Sequence, residues 1–156
     1  MDPGENLHPF GTFEQGCAPW YAYQATGQQD SVPHGGALSC RICATSATGN
    51  FAADDLGFLA SPAPGTYRAE AWVRQVAGAA IPIALAITLR TKIGDTPATF
   101  PETKSGPPVT VSTTWAHVEV ELTVTQTAEK LNVVVGSPAS TGACFLVDDV
   151  RAFRVK

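Results

Sequence analysis

The chain has 156 residues, a formal net charge of −4 and only 15% charged side chains, with 14 glycines and 12 prolines. That length suits one domain with a full hydrophobic core. The charge balance and the lack of a basic run argue against a nucleic-acid or anionic-membrane partner, and no apolar stretch nears the roughly 18 residues of a membrane span. Low charge with many turn formers fits a β-rich extracellular domain better than a helical cytosolic one.

In chain order, Met1-Asp2-Pro3-Gly4-Glu5 lacks the basic start and apolar run of a signal peptide and reads as a flexible tail over 1–5. Secretion would then need a signal upstream. Residues 6–156 read as one module. Cys40-Arg41-Ile42-Cys43 lies in an apparent strand, a poor place for a redox motif, and offers the one paired spacing a zinc site would need. The four cysteines (17, 40, 43 and 144) therefore suggest two disulfides, with three pairings open. Period-two alternation follows: Tyr67, Ala69, Ala71 and Val73; Ile83, Leu85, Ile87 and Leu89; Val118, Val120, Leu122 and Val124; Leu131, Val133 and Val135. Turn clusters at 61–65, 77–80, 105–108 and 136–138 separate these runs. Short strands with regular turns predict an all-β fold, a β-sandwich jelly roll of two antiparallel sheets.

On the strand from Tyr67 to Val76, alternation sends Trp72 outward with Arg68, Glu70 and Arg74. The Ile83–Arg90 strand follows a short link and is expected to pair with it as a hairpin. Ala84, Ala86, Thr88 and Arg90 would then form a trough beside Trp72. An exposed ring beside fixed donors and acceptors suits a pyranose, whose C–H face packs on aromatic surfaces. The alternative is a loop folded over Trp72. Trp20 and Trp115 are expected in the core, while Tyr21 and Tyr23 could line a site edge.

Near the end, Asp148 and Asp149 interrupt the apolar run Phe145–Phe153, and burying two carboxylates is costly unless something neutralises them. Read with Asn6–Gly16 (containing Thr12 and Glu14) and His34–Ile42 (containing Gly35 and Leu38), this segment resembles the calcium-bearing frame of jelly-roll carbohydrate-binding modules of families four, nine and twenty-two. The resemblance implies a structural calcium held by the Glu14 and Asp148 carboxylates and the carbonyls of Thr12, Gly35 and Leu38. Asp148 is preferred over Asp149 because plain alternation puts it on one face with Leu146 and Val150. The alternative is that both aspartates bond to turn amides with no metal. If Leu38 and Asp148 share one ion, their strands carry Cys43 toward Cys144 and leave Cys17 for Cys40.

By the same resemblance, the chain is expected to be a monomeric, secreted, non-catalytic module. It would bind plant cell-wall polysaccharide (β-glucan, or a hemicellulose such as xyloglucan or xylan) and target an attached glycoside hydrolase. Its sugar-binding residues would be Trp72, Arg68, Glu70, Arg74, Arg90, Phe51 and Tyr23. The alternative is a cell-surface or adhesion jelly roll that binds protein or terminal sugars. Against an enzyme, His8, His34 and His117 lack zinc spacing, no nucleophile elbow occurs, and a shared cation would keep Glu14 and Asp148 both ionised.

Overall fold

A computed structural model describes residues 4–46, 49–76, 83–138 and 143–155. The expected turn at 77–80 and the first three residues of the expected tail lie outside the described residues. The backbone N–H of Gly4 donates to the carbonyl of Arg154 at 3.3 Å.

The alternating runs become strands because each buries every second side chain. In chain order these are β1 (Tyr21–Tyr23), β2 (Ala25–Asp30), β3 (Ser39–Ala44), β4 (Phe51–Asp54), β5 (Leu59–Ala60), β6 (Gly65–Gln75), β7 (Ile83–Lys92), β8 (Thr103–Ser105), β9 (Val109–Val111), β10 (Ala116–Val124), β11 (Lys130–Ser137) and β12 (Cys144–Arg154). They form two antiparallel sheets. One is seven-stranded, in the order β1-β4-β11-β7-β8, with β5 also on β11 and β9 also on β7. The other has the order β10-β6-β12-β3-β2. The sheets bury Tyr67, Ala69, Ala71 and Val73 of β6 against Leu85, Ile87 and Leu89 of β7 and Leu131, Val133 and Val135 of β11. The fold is the expected β-sandwich.

The topology corrects two expectations. β6 and β7 are not a hairpin: β6 pairs with β10 and β12, while β7 pairs with β11, β8 and β9 in the opposite sheet. Each carries a continuous apolar stripe, and facing one another across the core buries both stripes at once. The second correction concerns β12. Asp148 stands opposite Trp72 but Arg151 opposite Glu70, so one extra residue bulges out, with Asp149 at φ 47°. Inward-facing positions switch there from Phe145 and Val147 to Val150 and Ala152. Asp148 therefore shares a face with Leu146 but not with Val150.

Cys43 lies directly opposite Cys144 in the β3–β12 ladder, and these two residues form one disulfide. Cys17 and Cys40 form the other, as expected. The segment before β1 runs beside β12: Leu7 N–H donates to the Ala152 carbonyl and Val150 N–H to the Gly11 carbonyl, at 2.7 and 2.8 Å. A Cβ on Gly11 would sit 1.8 Å from the Val150 carbonyl oxygen, so only glycine permits this approach. Trp20 is buried here as expected, its indole N–H donating to the Phe10 carbonyl at 2.8 Å.

Candidate functional site

The outer face of the seven-stranded sheet is ordered into transverse rows by strand register. One row runs Tyr21, Asp54, Val134, Thr88, Ser105. Beside it runs Tyr23, Ala52, Gly136, Ala86. Beyond the first row lie Asn132, Arg90 and Thr103. The second row is small throughout its middle. A Cβ on Gly136 would lie 2.5 Å from both the Ala52 Cβ and the Phe51 carbonyl oxygen, so the strand approach itself requires glycine there. The result is a low floor between taller neighbours.

Two adjoining cavities of about 380 and 420 Å³ occupy this face and share Asn50, Ala52 and Val134. Tyr23, Arg90 and Phe100 border the first, and Thr88, Ser105 and Pro108 the second. Crossing from β1 to β8 at a strand spacing of about 4.8 Å covers about 19 Å, room for several linked sugar rings. Tyr21 and Tyr23 are 52% and 41% exposed at one end, so their rings are open to a ligand.

A buried polar network holds the groove's charged groups. Arg90 Nε donates to Asn132 Oδ1 at 2.7 Å, and its Nη2 to Asp54 Oδ2 at 3.2 Å. Asn132 Nδ2 donates to Asp54 Oδ1 at 2.8 Å and to Asp55 Oδ1. Behind it, His8 Nδ1 accepts from the Phe10 N–H, so His8 Nε2 carries the proton given to Asp55 Oδ2 at 2.9 Å. Burial pulls the Arg90 pKa down, while the charges of Asp54 and Asp55 oppose that pull. The Arg90 guanidinium also lies 3.6 Å over the Phe100 ring. Thr88 and Ser105 share a hydroxyl hydrogen bond of 2.7 Å at the far side.

Of the expected sugar-binding residues, the structure brings together Tyr23 and Arg90. Trp72, Arg68, Glu70 and Arg74 belong to β6 and face outward from the other sheet, so the expected trough beside Trp72 does not form. His34 stacks on Trp72 at 4.1 Å with an interplanar angle of 14°, and His117 tilts against it at 5.1 Å. The loop carrying His34 thus covers Trp72, which was the alternative reading. Arg68 bonds Glu121, Arg74 lies over Trp115, and Glu70 pairs with His117 and Arg151. Trp115 is only half-buried and meets the edge of His34, outside the core expected for it. Phe51 is 1% exposed and packs on Phe145, because strand parity turns it inward and leaves Ala52 on the groove.

The candidate calcium residues Glu14, Gly35, Leu38 and Asp148 do converge on one turn. Glu14 Oε1 accepts the Leu38 N–H at 3.1 Å, and its Oε2 the Ala37 N–H at 2.9 Å. Asp148, fully buried, accepts the N–H groups of His34 and Gly35 on Oδ2 at 2.9 and 3.2 Å. Its Oδ1 takes the Asp149 N–H at 2.8 Å. A Cβ on Gly36 would stand 2.4 Å from Glu14 Oε1, which explains the glycine. Gly35 and Leu38 thus meet the carboxylates through their amides. Burial raises the Asp148 pKa and Asp149 raises it further, against the lowering by the three amides. For Asp148 this is the amide-bonded arrangement given above as the alternative to a metal, and the oxygens of Glu14 and Asp148 are also the hard donors that a calcium ion would take.

The family model for a carbohydrate binding domain matches residues 5–141. No curated protein matches the sequence. Solved structures do. The family 22 xylan-binding domain from Paenibacillus barcinonensis Xyn10C is 18% identical, with TM-score 0.68 over 100% of this chain and 98% of that one. The TmCBM61 module in complex with β-1,4-galactotriose is 17% identical, with TM-score 0.63 over 97% and 99%. An arabinose-bound α-L-arabinofuranosidase is also 17% identical, with TM-score 0.74 over 97% of this chain but 26% of its own length. At such identities these likenesses show the jelly-roll fold alone.

Proposed function

The chain belongs to the carbohydrate binding domain family, and we propose that it binds a plant cell-wall polysaccharide, a β-glucan or a hemicellulose such as xylan or xyloglucan, along the groove of the seven-stranded sheet. The observation that carries this reading is the low Ala52–Gly136–Ala86 floor, bordered by exposed Tyr21 and Tyr23 and flanked by polar rows. The tyrosine faces take the C–H face of a sugar ring. Asp54, Arg90, Thr88 and Ser105 supply donors and acceptors for hydroxyls, already positioned before ligand arrives. The structural neighbours named as binding xylan and galactotriose support a glycan as the ligand class.

The module acts without catalysis, as a single copy, and holds an attached secreted glycoside hydrolase on its substrate. Two disulfides favour an oxidising, extracellular setting, and a neighbour that is one part of a larger arabinofuranosidase supports the fusion. A calcium ion, held by Glu14 and Asp148 with carbonyls of Thr12, Gly35 and Leu38, would serve structure only, neutralising the two carboxylates far from the groove. Affinity electrophoresis through gels containing soluble β-glucan, xylan, xyloglucan or galactan tests the reading. Retardation in at least one cell-wall polysaccharide is expected. Unretarded migration in every gel overturns it.

A further inference from the structure

Among the described residues, one group of three His or acidic side chains stands close enough to share a metal ion: Glu70 on β6 with His117 and Glu119 on β10. It lies on the outer face of the five-stranded sheet, away from the groove and independent of the function proposed for it. We propose that this trio binds a divalent transition-metal ion of the zinc type, which clasps the edge strand β10 to β6.

The register is the first reason. Glu119 lies directly opposite Glu70, and like charges directly opposed on an antiparallel pair destabilise it. The nearby arginines offset the conflict only in part, Arg68 by its through-space attraction to both carboxylates and Arg151 from the Glu70 side. Arg68 is bonded to Glu121, and Arg151 reaches only Glu70 Oε1, at 3.6 Å. Glu119 makes no ion pair among the described residues. A dication between the two carboxylates turns the repulsion into attraction for both.

Geometry and donor chemistry are the second reason. One ligand atom from each residue lies within 4.8 Å of the other two, and His117 Nε2 is 3.3 Å from Glu70 Oε2. Ligands about 2.0–2.1 Å from a tetrahedral zinc stand about 3.3–3.4 Å apart, so His117 and Glu70 already have the spacing of two ligands on one ion, and Glu119 lies within 4.8 Å of both. An imidazole nitrogen with two carboxylates is a zinc donor set, whereas calcium and magnesium take oxygen. Trp72 packs against the His117 ring and restrains its orientation, as outer-shell groups commonly do at metal sites. The half-exposed position leaves a coordination place for water.

The test is calorimetric titration of zinc into metal-stripped protein with calcium kept saturating, so that oxygen-only sites are filled. One zinc per chain and a raised Tm are expected. His117→Ala and Glu119→Gln should each lower zinc affinity at least about 100-fold, since losing even an outer-shell partner costs 10–100-fold. Asp149→Asn, which removes the nearby His34–Asp149 ion pair but leaves the His34 ring stacked on Trp72, should leave it unchanged. Wild-type zinc affinity in Glu119→Gln, whose exposed position makes it safe for the fold, overturns the proposal. So does zinc binding that Asp149→Asn abolishes, or no zinc uptake by the wild type at millimolar concentration.

Discussion

Replacing Asn132 by alanine should be among the most damaging single changes to this domain. The side chain is 0% exposed and joins three groups that carry charge: it accepts from Arg90 Nε and donates to Asp54 and Asp55. Hydrogen bonds to charged partners contribute about 1.5–3 kcal/mol each, but the three do not add. Asp55 Oδ1 keeps the Gly57 and Val133 amides, and Arg90 keeps Asp54 through Nη2. What is lost outright is the bridge between the guanidinium and the buried Asp55, for a total of about 3 kcal/mol. For a domain of this size that lowers Tm by about 6–12 °C. Urea and thermal unfolding followed by circular dichroism, disulfides intact, measure it. A loss below about 1 kcal/mol would refute the network's role in fixing Arg90 at the groove.

Three further outcomes follow. Tyr23→Ala should weaken polysaccharide binding about tenfold by removing one aromatic face, with Tm little changed because the residue is 41% exposed and lies outside the core; equal affinities by calorimetry would remove Tyr23 from the site. Trp72→Ala should do the reverse, lowering Tm through its lost stacking on His34 and His117 while leaving retardation in polysaccharide gels as in the wild type. Asp148 has a folded pKa raised above its ordinary 3.8, so without metal the fold holds this proton more tightly than the unfolded chain. Its contribution therefore falls as pH rises from 3.8 through the folded pKa and is constant above. In metal-free protein, Asp148→Asn should gain on the wild type across that window. A chelator should lower the wild-type Tm and leave that of Asp148→Asn unmoved; a pH-independent difference, or no chelator effect, counts against the account of this turn.

Alternation in the chain identified the core faces of β6, β7, β10 and β11 because burial obeys strand parity. It carries no information about which sheet a strand joins. Arg90 and Trp72 each point outward as expected, yet from opposite sides of the molecule. The bulge at Asp149 is not legible in the sequence for a similar reason, since one inserted residue reverses parity without any change in composition. Phe51 misled because its aromatic character suggested stacking while its place in β4 turned it inward. The network was not legible: alternation puts Asn132 on the outward face of its strand, where a polar residue is ordinary, and its burial is seen only in the structure. Its partners come from β4 and β7, distant in sequence, and only the sheet order brings them together. Cysteine spacing alone left three disulfide pairings open, and the observed pair of bonds was the one implied by the family resemblance, through the ion it has Leu38 and Asp148 share.

The central claim is that polysaccharide lies on the Ala52–Gly136–Ala86 floor. Ala86→Leu raises that floor without touching the core, since the side chain faces out from β7 between Thr88 and Ala84. Calorimetric titration of wild type and variant with the oligosaccharide of whichever polysaccharide retards the wild type should show binding abolished in the variant, with both proteins melting within a degree or two of one another. Undiminished affinity in a folded Ala86→Leu protein would place the ligand elsewhere and contradict the account.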